Sequence, residues 1–230
     1  MAVRDLAGVW FVHAPDCKPP PLCSRCSRCK NGAWGTLRRL QHDQHFSRRH
    51  SMQIKTIGVM SPGDMGQAVA AQLKLGGFTL HTALDERSAR SKALAHEAGL
   101  IDVGSVEKLV ASCDVILSII NPAAALEFGL KAAAAIAAGH GNPIFVDCNA
   151  ISPATLQQIE AAIVAAGGRC LDGTIIGSPP RDGARCNLYF AGPGADALAV
   201  FAGPHLNVRI LGARSGDASA LKMCYGAMNK

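Results

Sequence analysis

The chain has 230 residues, 49% of them hydrophobic and 17% charged, with a formal net charge of +6; this suits one substantial core with a smaller attachment and argues against disorder throughout. No stretch approaches the roughly 18 uninterrupted apolar residues of a membrane span, so no membrane partner is expected. The charge sits at one end: residues 1–51 hold nine Lys and Arg against three Asp and Glu, while residues 52–230 hold fourteen of each. The main body therefore gives no electrostatic reason to expect nucleic acid or anionic lipid as a partner.

Residues 1–51 lack clear periodicity and include Cys17, Cys23, Cys26 and Cys29. Three readings of this extension stand open. It is a disordered basic addition to a domain that starts at residue 52. Or it is a zinc site, with Cys26, Cys29, His42 and His45 spaced C-x2-C-x12-H-x2-H, one residue short between the histidines. Or it is a targeting segment, Arg-rich and acid-poor but without serine richness. A cytoplasmic location is expected, with organellar targeting by the extension as the alternative, and no metal site is expected in the main body. Cys113, Cys148, Cys170, Cys186 and Cys224 fall singly among apolar residues and read as buried reduced thiols.

From residue 54 strands and helices alternate. A strand over 54–60 leads through Ser61-Pro62-Gly63 into a helix over 64–75, which Gly76-Gly77 ends. Next come a strand over 78–84, helices over 88–98 and 106–111, and a buried strand over 115–119. Pro122 opens an alanine-rich helix to about 138. A strand over 144–147, a helix over 153–166 and a strand over 169–175 follow. Two more extended segments, 187–191 and 208–211, flank a helix near 195–202. Repeated units of this kind predict an α/β, doubly wound parallel sheet covered by helices on both faces, the Rossmann architecture, over residues 52–214.

The first strand runs into Gly58-Val59-Met60-Ser61-Pro62-Gly63-Asp64-Met65-Gly66. A dinucleotide-binding turn needs a tight bend, a residue without a side chain beside the pyrophosphate, and a small residue where helix packs on strand. Gly63 and Gly66 fill the last two places. Ser61 stands where the first glycine is expected, and its hydroxyl suits a phosphate oxygen. Asp85 closes the second strand, where an acidic residue holds ribose hydroxyls in NAD proteins, whereas Arg87 and Ser88 suit the 2′-phosphate of NADP.

These residues resemble the 3-hydroxyisobutyrate and 6-phosphogluconate dehydrogenase superfamily over about 54–230. Its opening motif I-G-x-I-G-x-G-x-M-G is matched from Ile57 to Gly66 except at Ser61. Glu86-Arg87-Ser88 echoes its Asn-Arg-Ser/Thr segment and favours NADP over NAD. Its nicotinamide loop falls at Ile120-Asn121-Pro122, and its substrate segment at Asp147-Cys148-Asn149, with Asn149 in place of serine. Its Ser-Gly-Gly loop aligns with Ile176-Gly177-Ser178, the hydroxyl moved two places, and its catalytic lysine is Lys222, with Gly226 where the family has asparagine.

The resemblance implies a dehydrogenase of β-hydroxyacids. Gly58, Ser61, Pro62, Gly63, Asp64, Met65, Gly66, Asp85, Arg87, Ser88, Ile120 and Asn121 would meet the coenzyme. Asn149, Gly177 and Ser178 would meet substrate, and Lys222 would be the general acid/base. The resemblance further implies that residues 215–230 open a helix leading into an all-helical domain, and that full-length relatives form homodimers. This chain, which ends at Lys230, is expected to bind dinucleotide and to turn over poorly. The alternative is a non-catalytic dinucleotide-binding protein.

Overall fold

The structure, a computed structural model, describes residues 3–4, 10–11, 53–60, 63–85 and 87–229. Ser61, Pro62, Glu86 and the Cys26, Cys29, His42, His45 pattern lie outside the described residues. In the N-terminal unit Val3–Arg4 pairs antiparallel with Trp10–Phe11. The unit that begins at Gln53 is built on one eight-stranded sheet.

In chain order its elements are β1 (Thr56–Met60), α1 (Asp64–Leu75), β2 (Thr79–Thr82), α2 (Ala89–Glu97), β3 (Ile101–Asp102), α3 (Val106–Ser112) and β4 (Val115–Ser118). A 3-10 turn, Pro122–Ala124, precedes α4 (Ala125–Ala137). Then follow β5 (Ile144–Asp147), α5 (Pro153–Ala165), β6 (Arg169–Gly177), β7 (Cys186–Ala191), a 3-10 segment Ala195–Phe201, β8 (Leu206–Gly212) and α6 (Asp217–Met228). The spatial order is β8-β7-β6-β5-β4-β1-β2-β3. Strands β1 to β6 form a parallel sheet in the Rossmann order 3-2-1-4-5-6, as the alternation predicts.

A sheet covered on both faces demands strands that are apolar throughout, and β4 and β5 are buried at every residue. Their side chains alternate between two cores. Val115, Leu117, Ile144 and Val146 join Val69 and Leu73 of α1, whereas Ile116 and Phe145 join Leu109 of α3 and Phe128 of α4. Each fully buried Leu, Ile or Phe contributes about 1.5–3 kcal/mol. Gly129 lets α4 close on α5, since a Cβ there would lie 2.6 Å from Ile159 Cγ2.

Three features depart from expectation. Strand β3 has two residues, both exposed, and carries no apolar pattern to announce it. The helix at 195–202 is 3-10, and that at 122–138 begins as 3-10. Finally, β7 runs antiparallel to β6, and β8 parallel to β7. A parallel neighbour for β6 would need a long crossover, and residues 178–185 supply only a loop. Cys113, Cys148, Cys170 and Cys186 are buried free thiols, as expected, but Cys224 is exposed. Among the described residues no helix is long and apolar enough to cross a membrane.

Candidate functional site

The strand order reverses between β1 and β4, so the crevice outside their carboxyl ends is where this fold accepts a ligand. Helix α1 starts there. Helices α2, α3 and α5 are each capped by the serine before them: Ser88 accepts from Ser91 N at 3.2 Å, Ser105 from Lys108 N at 3.4 Å and Ser152 from Thr155 N at 3.1 Å. Helix α1 instead has Gly63 at its N-cap, with no side-chain cap. A Cβ on Gly63 would meet nothing within 4 Å. The first turn therefore presents main-chain N–H groups and the positive end of its dipole toward open space, which is what an anion needs.

The neighbouring motif residues divide. Met65 packs against the core and Gly66 is buried, so at these positions only the backbone faces the turn. Asp64 pairs with Arg181, from the loop after β6, at 3.5 Å. Gly58 lies within β1, where a Cβ would come 3.1–3.2 Å from Leu109, Cys113 and Ile116, so glycine there lets α3 pack closely on the strand.

Beside the turn, a crevice of about 570 Å³ is lined by Met60, Asp85, Arg87, Gly104, Ile120 and Lys131, among others. Asp85 donates its main-chain N–H to Gly104 O at 3.0 Å and leaves its carboxylate exposed. Gly104 has φ +85, and a Cβ there would lie 3.3 Å from Asp85 Oδ1, so glycine keeps that carboxylate clear. Arg87 is half-buried on the same wall. Ser88 is committed to capping α2, its Oγ also 3.1 Å from Ser91 Oγ.

The carboxyl ends of β4 and β5 and the middle of β6 form a row of buried polar groups. Ser118, Asp147 and Asp172 are register neighbours across these three strands. Asn149 is 3% exposed and its carboxamide is fully engaged. Its Oδ1 accepts from Ile120 N at 2.7 Å, and its Nδ2 donates to Ser118 Oγ at 2.9 Å and to Asp147 Oδ2 at 2.8 Å. With both donors and one lone pair of its oxygen used, Asn149 holds the 120–122 loop. Asn121 similarly turns its Oδ1 back to Ala123 N at 3.0 Å. Burial pushes the Asp147 carboxyl up to about 6, against the hydrogen bonds from Asn149. Asp172 is raised too, chiefly by burial. Sequence reasoning placed Asp147 in the resembling family's substrate segment without giving it a role, and did not single out Ser118, Asp172 or Ser219 as site residues; a lone polar residue in an apolar strand was the available signal for Ser118 and Asp172.

Helix α6 carries Lys222 to the far end of this row. Its Nζ donates to Ile175 O of β6 at 2.6 Å, and partial burial lowers its pKa. Gly177, with φ +125, and exposed Ser178 end the same strand. The structure thus brings Lys222, Gly177 and Ser178 to the end of β6, while Gly63, Asp85, Arg87 and Ile120 surround the β1 and β4 ends.

A parallel sheet in this order, with an uncapped helix start at its switch point and an acidic residue closing the second strand, defines a nicotinamide-dinucleotide-binding Rossmann domain. The family model for the NAD binding domain of 6-phosphogluconate dehydrogenase matches residues 56–196, more than half of the chain. The chain belongs to this family. It is 25% identical over 174 residues to an uncharacterised 28.5 kDa protein of Methanothermus fervidus, covering 76% of this chain and 65% of that one. It is similar to the solved structure of MTH1747, a conserved protein of unknown function described as structurally similar to 3-hydroxyacid dehydrogenases. The identity is 29% and the TM-score 0.64, covering 75% of this chain and 64% of that one. It shares the fold of 3-hydroxyisobutyrate dehydrogenase from Mycobacterium tuberculosis, solved with L-serine, at 21% identity and TM-score 0.65, over 76% and 60% of the two chains. The chain thus spans just under two thirds of the length of these relatives.

Proposed function

We propose that this chain is the coenzyme-binding part of an NADP-dependent oxidoreductase acting on a β-hydroxyacid, with Lys222 as general acid/base. The observation that carries the coenzyme reading is the uncapped first turn of α1 facing open space at Gly63. Main-chain N–H groups there bind the pyrophosphate. Arg87 on the crevice wall takes the 2′-phosphate, while Asp85, beside it, favours the free hydroxyl of NAD as the alternative coenzyme. Bound nicotinamide supplies the hydride acceptor.

The protein's share of the chemistry is the proton. Oxidising an alcohol requires a base at the hydroxyl, and a lysine serves only if its pKa falls from about 10.4 toward neutrality. Half-buried Lys222 is shifted in that direction by desolvation and donates to Ile175 O near the end of β6, and Ser178, which follows that strand, would donate to a substrate carboxylate. Helix α6 would lead into a helical domain that closes the cleft and builds a homodimer. A cytoplasmic location belongs to the same reading. A second reading, a dinucleotide-binding protein without catalysis, is favoured by Ile176. This residue is buried and apolar where the resembling enzymes have a serine hydroxyl.

Titration with NADPH and NADH, followed by nicotinamide fluorescence, tests the proposal. NADPH binds more tightly, and Arg87→Ala weakens NADPH about tenfold, roughly 1.4 kcal/mol, without affecting NADH. Failure of both coenzymes to bind at millimolar concentration contradicts it.

A further inference from the structure

Helix α6 begins in a way unlike the serine-capped helices. Its N-cap is Gly216 at φ +96, a left-handed conformation that favours glycine and leaves no side chain to cap the first turn. The carboxylate of Asp217 is turned away to Arg214, which it meets at 2.6 Å. The missing cap comes from another element. Asp172 of β6, 0% exposed, accepts from Ala218 N at 2.8 Å and Ser219 N at 3.0 Å through Oδ2, and from the Ser219 hydroxyl at 2.6 Å through Oδ1. A carboxylate at this end of a helix also complements the dipole.

The origin of the cap matters. Ser88, Ser105 and Ser152 satisfy their helices from the adjoining chain and fix nothing relative to the sheet. Asp172 ties the first turn of α6 to β6. Three residues further along β6, Ile175 O receives the Lys222 ammonium, and Lys222 lies three residues beyond Ser219 on the helix. Strand and helix are joined by two rungs, of which the first is buried and charge-assisted, and the second is the lysine itself. We propose that Asp172 is the positioning residue for Lys222, its buried cap setting where α6 places the ammonium at the end of β6. The functional weight of this inference rests on Lys222 being the acid/base, but its test does not require turnover.

The test is competitive acetylation of the full chain at a series of pH values, with the titration midpoint of Lys222 read by mass spectrometry, and folding checked by circular dichroism. In the parent the midpoint lies below the value of a free lysine, about 10.4. Asp172→Ala releases the helix start, exposes the ammonium and raises the midpoint toward that value. Asp172→Asn keeps an oxygen acceptor for the amides and restores the parental midpoint or lowers it. The sign separates positioning from simple electrostatics, because deleting a nearby negative charge without movement would lower a lysine pKa. A midpoint that falls or stays put in Asp172→Ala, or that rises equally in Asp172→Asn, overturns the proposal. If Asp172→Ala does not fold, Ser219→Ala, which removes one bond of the cap, carries the same prediction: a rise supports the proposal and an unchanged midpoint overturns it. Coenzyme titration is a separate measurement, so failure of the coenzyme reading and failure of this one are told apart.

Discussion

The two sides of the strand-end surface treat their polar groups in opposite ways. At β1 and β2 the protein leaves them open: α1 starts without a side-chain cap, Gly63 faces empty space, and the Asp85 carboxylate is exposed. At β4, β5 and β6 the groups are turned on one another, with Ser118, Asn149 and Asp147 joined by hydrogen bonds and Asp172 engaged by the start of α6. A buried polar group without a partner costs about 1–3 kcal/mol; Ser118, Asn149, Asp147 and Asp172 avoid that cost by their mutual bonds and the start of α6, although Thr174 Oγ1 on β6 is buried without a partner, and the exposed groups of the open side remain available to a ligand. Within one fold, polar groups bonded to one another build a framework, and exposed ones are left available to a ligand.

Breaking the closed side should register first in stability. Asn149→Ala removes three hydrogen bonds from a buried site, leaving Ile120 N without its acceptor and Asp147 Oδ2 without its amide donor, while the main-chain N–H of residue 149 still reaches Asp147 Oδ1; chemical denaturation should show a loss of about 3 kcal/mol. Preserved stability would mean that the row is less tightly coupled than its geometry indicates. A smaller effect appears in pH dependence. The folded Asp147 pKa, about 6, exceeds its ordinary 3.8. On lowering the pH from 7, the folded state therefore takes up the proton before the unfolded state does, and stability rises through pH 6 until the unfolded carboxyl also protonates near 4. The gain is roughly 3 kcal/mol at most. Asp147→Asn should flatten this part of the stability profile, while the contribution of Asp172, shifted in the same direction, persists. An unchanged slope would place the titration elsewhere.

Much of the open side was legible in the sequence, because a glycine turn between an apolar strand and an amphipathic helix is local information. So were β4 and β5, whose unbroken apolar runs announce strands buried on both faces. The closed side was not. Asn149 finds Ser118 across 31 residues and Asp172 finds Ser219 across 47, and nothing in the chain near either residue indicates that partner. The close packing at Gly58 was hidden for a related reason: Leu109 and Cys113, which would crowd a Cβ there, are brought over it by the fold. Strand β3 escaped notice because two exposed residues leave no periodic trace, and the reversed direction of β7 because the loop at 178–185 has no pattern of its own.

Gly63→Asp tests the central claim most directly. Gly63 has φ −73 and ψ 178, an extended backbone that any residue adopts, and a Cβ there meets nothing within 4 Å. The fold should be undisturbed and the thermal midpoint should match the parent. The new carboxylate would occupy and repel the pyrophosphate position, so NADPH affinity should fall at least about a hundredfold, roughly 2.7 kcal/mol. Unaltered NADPH binding by a folded Gly63→Asp chain would contradict the assignment of the α1 start as the diphosphate site.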